Sequence, residues 1–114
     1  MIAVIFEVYP TKDGMGEYLS IAASLREFLN DRPGFISIER FQSIVDENKI
    51  LSLSFWESEE AVQAWRNLLE HRIAQKKGKH DLFEKYRIRV AQVFRDYTES
   101  ERGQAPADSN AVLT

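Results

Sequence analysis

Residues 50–78 read ILSLSFWESEEAVQAWRNLLEHRIAQKKG, and this stretch decides the fold. Leu51, Leu53 and Phe55 alternate with Ser52 and Ser54, a period of two that gives a pleated strand with a greasy face and a small-residue face. Ser58 then stands where a helix N-cap belongs, with Glu59 and Glu60 placing negative charge in the first turn. Ala61, Val62, Trp65, Leu68 and Leu69 recur at three- and four-residue steps, which is one helical face. His71 and Gln75 follow before Gly78 stops the run. A strand thus feeds a helix that presents a Trp and then a His.

Upstream, residues 2–9 form a β-rich run, with Ile2, Val4, Phe6 and Val8 alternating with Ala3, Ile5, Glu7 and Tyr9. Pro10 ends it, and residues 11–16 make a polar, glycine-containing connection. A helix to about residue 30 follows, its apolar stripe being Tyr18, Leu19, Ala22, Leu25, Phe28 and Leu29. Asp31, Pro33 and Gly34 break it. Residues 35–42 form a second strand, and the turn Asp46-Glu47-Asn48 pairs it as a hairpin with residues 50–56.

Downstream, residues 76–80 are a basic breaker and residues 86–97 a long closing strand. Residues 98–114 carry few large apolar side chains and are expected to be a disordered tail, leaving residues 1–97 as one domain. The order βαββαβ is that of an α+β, ferredoxin-like fold, an antiparallel sheet with helices on one face. Two helices cover only one face, yet several strands are apolar on both. The second face needs cover, so a homodimer through the open sheet face is expected.

Bulk properties narrow the partners. A chain of 114 residues suffices for one core. The net charge of −3 argues against nucleic acid as the partner. With no cysteine, disulfides, thiolate metal sites and a Cys nucleophile are excluded. No apolar run reaches the roughly 18 residues of a membrane span, and MIAVIFEVYP has no basic region of a signal peptide. A cytoplasmic protein is the expectation.

Trp65 and His71 are the candidate chemistry: an indole to wall an aromatic pocket and an imidazole to take a proton from a phenol-like substrate. The plainer alternatives are a core Trp and a surface His. The basic group running from Arg72 to Arg89 could attract an anion or simply be solvated. No metal-ligand spacing, phosphate loop or nucleophile elbow is present. The strand at 50–56 lacks the Gly and basic residues of an RNA-recognition sheet, and residues 10–16 lack the Arg of an acylphosphatase loop.

Phe55-Trp56-Glu57-Ser58-Glu59-Glu60-Ala61, Trp65, the run Glu70-His71-Arg72 with Ala74, Gln75 and Gly78, and the closing segments Tyr86-Arg87-Ile88-Arg89-Val90-Ala91 and Arg95-Asp96-Tyr97 resemble the antibiotic biosynthesis monooxygenase family. Pro33-Gly34-Phe35 adds to the likeness. The resemblance implies a dimeric α+β barrel with a pocket in each subunit between sheet and helices. It implies a cofactor-independent monooxygenase acting on an electron-rich aromatic or quinol, with His71 as base, Trp65 as pocket wall, and Phe55, Arg72 and Gln75 contacting a small aromatic ligand. A non-catalytic ligand-binding or sensory module is the alternative. Haem-degrading members carry a His ten residues after the helix Trp and an Asn on the first strand. Gln75 occupies the first position here and the first strand has no Asn, so haem is disfavoured and no cofactor is expected.

Overall fold

The computed structural model describes residues 1–77 and 82–113, with side-chain surroundings given for 1–72 and 82–112. The elements run β1 (Ile2–Pro10), α1 (Gly14–Leu29), β2 (Phe35–Gln42), β3 (Ile50–Trp56), α2 (Glu59–Lys77), β4 (Phe83–Gln92) and α3 (Ala107–Leu113). The strands form one antiparallel sheet in the order β2-β3-β1-β4. This is the expected ferredoxin-like arrangement.

Pairing sorts the strand residues into two faces, because residues directly opposite each other point the same way. Ile50, Ser52, Ser54 and Trp56 lie opposite Val8, Phe6, Val4 and Ile2, and this set is buried or nearly so under the helices. The small-residue face of β3 is therefore the inner one. The reason is volume: serines leave room above the sheet for the rings of Trp56, Trp65 and Tyr18, all nearly fully buried. Trp56 Nε1 donates to Ser54 Oγ at 2.8 Å, so the strand supplies a partner as well as space. The greasy residues Leu51, Leu53 and Phe55 turn to the open face with Ala3 and Ile5.

Several sequence boundaries move. Helix α1 begins at Gly14, inside the expected connection, and buries Tyr18, Ile21, Ala22, Leu25 and Leu29. Leu19 and Phe28 fall outside that stripe and are exposed; the guanidinium of Arg72 lies 5.9 Å from the Phe28 ring centre. Strict alternation in β2 would set Phe35 opposite Ile38. A register shift between Phe35 and Ser37 instead places both on the inner face, Phe35 against Trp56 at 5.2 Å.

The closing strand spans Phe83–Gln92 and not residues 86–97, because β1 offers partners only as far back as Ile2. Beyond it, Val93 N donates to Met1 O at 2.9 Å. Residues 98–113 differ from the structureless tail expected of their composition. Thr98 and Glu101 close a turn, Arg102 donates to Thr98 O, Ser109 Oγ and Asn110 Oδ1, and α3 follows. Polar side chains organise this segment, which a count of apolar residues does not register. Gly78, Lys79 and His80, expected as the helix stop and basic breaker, lie outside the described residues. Among the described residues no helix is long and apolar enough to cross a membrane.

Candidate functional site

Helix α2 leaves the end of β3 through Ser58, whose Oγ accepts from Ala61 N at 3.3 Å as the sequence pattern predicts of a cap. The helix then packs its Val62, Trp65 and Leu69 over the inner face of the sheet. Edge strand β4 is incompletely covered: Val90 and Tyr86 stand on the inner side, opposite Val4 and Val8, yet remain 48% and 61% exposed. Between α2 and β4 lies a groove of about 340 Å³. Its floor is Val4, Val62, Ile88 and Val90, Trp65 forms a wall, and Glu59, Gln63 and Arg66 form a polar rim.

The groove suits a flat, apolar molecule with polar substituents. Its walls offer aliphatic area and one indole, while one carboxylate, one amide and one guanidinium at the mouth can orient polar groups. Trp65 leans on Trp56 with ring centres 5.8 Å apart. Its Nε1 is buried and hydrogen-bonds to no protein group among the described residues. A buried indole N–H normally finds an acceptor, which makes this donor an exception to the rule.

The residues expected to act together are not all brought together. Trp65 is in the groove wall. His71 is exposed and is not among the groove's lining residues. Six residues along a helix turn the side chain through about 600°, leaving it roughly 120° round from Trp65. Phe55 faces the opposite side of the sheet, paired with Ala3. Arg72 sits over Phe28. Gln75 belongs to α2, but its side chain lies outside the described set.

The floor residues Val62, Ile88 and Val90 were visible in the sequence only as core-facing apolar positions. Rim residues Glu59, Gln63 and Arg66 recur at four- and three-residue steps beside Val62, a polar flank that periodicity analysis passes over as solvated surface.

No group of three or more His, Asp or Glu side chains able to hold a metal occurs among the described residues. Haem does not fit the groove's donor set, which holds a carboxylate, an amide, an indole and a guanidinium but no imidazole for an axial bond.

A four-stranded antiparallel sheet with two helices over one face and an apolar groove between the second helix and the edge strand defines a small ferredoxin-like protein. The chain belongs to the antibiotic biosynthesis monooxygenase family, whose sequence profile matches residues 1–77. It is 44% identical over 93 residues to the jasmonate monooxygenase ABM of Pyricularia oryzae, covering 82% of this chain and 43% of that protein. It therefore spans less than half of that relative's length. Over 93 residues it is 32% identical to the Bacillus subtilis protein YqjZ, covering 82% of this chain and 79% of that one. Among solved structures, Rv0793 of Mycobacterium tuberculosis superposes with a TM-score of 0.71 at 16% identity, covering 85% of this chain and 98% of that chain, a likeness of fold.

Proposed function

We propose that the protein is a cofactor-independent monooxygenase that holds an electron-rich aromatic or quinol substrate in the groove between α2 and β4, working as a homodimer joined through the open sheet face. The observation that carries this reading is the Trp65 wall over an aliphatic floor, in a chain whose family is one of monooxygenases. A phenol or quinol supplies all four electrons that dioxygen takes up: one oxygen atom enters the ring, the other leaves as water, and the product is a quinone from a phenol or a hydroxyquinone from a quinol. The protein's part is to orient the ring, exclude water, and favour the ionised form that reacts with oxygen. In this reading Trp65 Nε1, which has no protein acceptor among the described residues, donates to a substrate oxygen as negative charge develops there.

His71, the sequence's candidate base, stands outside the groove, and Glu59 is the carboxylate at the mouth. That position favours a second reading, a module that binds a small aromatic ligand without oxidising it. An oxygen electrode with a panel of hydroquinones and polyphenols separates the two. The enzyme reading expects uptake above the spontaneous rate, matched by quinone formation, reduced about tenfold or more in Trp65→Ala and within a fewfold of wild type in His71→Ala. Ligand-induced stabilisation with no added uptake would establish the module instead.

A further inference from the structure

The middle rung of the open sheet face crosses all four strands. Glu39 of β2 lies opposite Leu53 of β3, Leu53 opposite Ile5 of β1, and Ile5 opposite Arg89 of β4. From edge to edge it is acid, apolar, apolar, base. The next rung on one side holds Ser37, Phe55, Ala3 and Ala91, and on the other Phe41, Leu51, Glu7 and Arg87. Glu39 and Arg87 are exposed and form no ion pair among the described residues. Arg89 reaches Glu7 at 3.3 Å, yet its side chain is still 48% exposed.

Two copies can bury this face against each other about a two-fold axis in three ways. An axis parallel to the strands, between β3 and β1, sets β2 of each copy over β4 of the other and keeps the rungs level. Arg89 then faces the partner's Glu39, Leu53 the partner's Ile5, and Phe55 the partner's Ala3. Opposite charges meet at both edges, and in the centre a large ring meets a methyl group. An axis across the strands sets each strand over its own copy. Glu39 then faces the partner's Glu39, and the row Lys85, Arg87 and Arg89 faces itself, which repels. Orthogonal packing lays each edge over the ends of the partner's central strands, so Arg89 and Glu39 do not meet.

The remaining rung tolerates the first arrangement. Phe41 meets the partner's Arg87, an attractive pairing of ring and guanidinium. Leu51 meets the partner's Glu7, whose carboxylate is already held by Lys49 and Arg89 of its own chain. Packed sheets lie about 10 Å apart, a gap that a glutamate and an arginine reaching from opposite sides can close.

We propose that two copies pack their open faces about an axis parallel to the strands, with Arg87 and Arg89 of each β4 paired to the partner's Glu39 on β2. This arrangement rests on the homodimer through the open sheet face and assigns its axis and the pairs that select it. Exposed ion pairs add little affinity; their part is to choose among arrangements of one apolar surface. Strand β4 carries the groove residues Ile88 and Val90 on its other side, so the partner backs the strand that borders the groove.

The chain has no cysteine, so engineered thiols report the geometry without background. Glu39→Cys and Arg89→Cys chains are treated with a short bis-maleimide, each alone and as a mixture that has exchanged subunits, at a concentration where the parent protein sediments as a dimer. Covalent dimers should form in the mixture and not in either variant alone, because like positions lie about three strand spacings, roughly 14 Å, apart across the interface. No linking in the mixture, or self-linking of either variant without gain on mixing, would overturn the axis and leave the homodimer standing. A parent protein that is monomeric at every concentration would remove both. Glu39→Gln gives a reading without a linker: its dimer dissociation constant should rise severalfold and depend less on salt. A constant that holds or falls would contradict the pairing.

Discussion

Gly34 occupies φ +83°, a region that L side chains reach only with strain, and its carbonyl accepts from Glu57 N at 2.8 Å at the entry to α2. A methyl group added there would also come within 2.8 Å of the Ala61 Cβ. Gly34→Ala should therefore lose about 1–3 kcal/mol in chemical denaturation, and unchanged stability would contradict this account of the joint. Tyr18 makes a pH prediction with a definite sign. Its hydroxyl is held above the ordinary value of 10.0, chiefly by burial. Below that pH it is protonated whether the chain is folded or not, and its contribution is complete. As pH rises further, the unfolded chain ionises first, so stability falls with increasing pH. Denaturation curves taken from neutral to strongly alkaline pH should show a shallower decline in Tyr18→Phe than in the parent, and parallel declines would refute the assignment.

At the scale of elements, legibility followed periodicity. Residues 50–78 gave β3, the Ser58 cap and the buried stripe of α2, because a period of two passing to one near 3.6 at a capping residue has few other readings. What escaped was set by tertiary partners. The end of β4 depends on where β1 runs out, and the face of Phe35 depends on a shifted register. The candidate site was half legible: Trp65 belongs to a groove, but neither the rotation of His71 away from it nor the opposite facing of Phe55 follows from residue spacing without knowing which face is covered. The C-terminal segment is the largest difference. Its order centres on Arg102, whose guanidinium bonds Thr98, Ser109 and Asn110 and lies 5.0 Å from the centre of the Tyr97 ring. Arg102→Ala should collapse the dispersion of amide resonances across residues 98–113 while leaving those of the sheet in place. Retained dispersion would show that other contacts hold the segment.

Across the whole molecule, the radius of gyration of 16.8 Å exceeds the roughly 13 Å of a compact chain this long, which fits residues 93–113 running on past the sheet. The open face holds Ala3, Ile5, Leu51, Leu53 and Phe55 toward one end, with Phe41 43% exposed beside them. On the same rung as Leu51 and Phe41, Glu7 pairs with Lys49 and Arg89 at 3.6 and 3.3 Å. An apolar field with a charged border is the composition of a self-complementary interface. Sedimentation at micromolar concentration should give about twice the 13.2 kDa chain mass, and Leu53→Glu should return a folded monomer. A monomeric parent protein would remove the dimer from the proposal.

The central claim is that substrate lies against Trp65 between α2 and β4. Titration of a hydroquinone under anaerobic conditions, followed through the indole N–H resonance of Trp65 and the backbone amides, tests it most directly. Saturable shifts of that indole signal together with Val62, Ile88 and Val90, and little change at His71, are predicted. Shifts concentrated at His71 or on Leu51, Leu53 and Phe55, with the Trp65 indole silent, would contradict the claim.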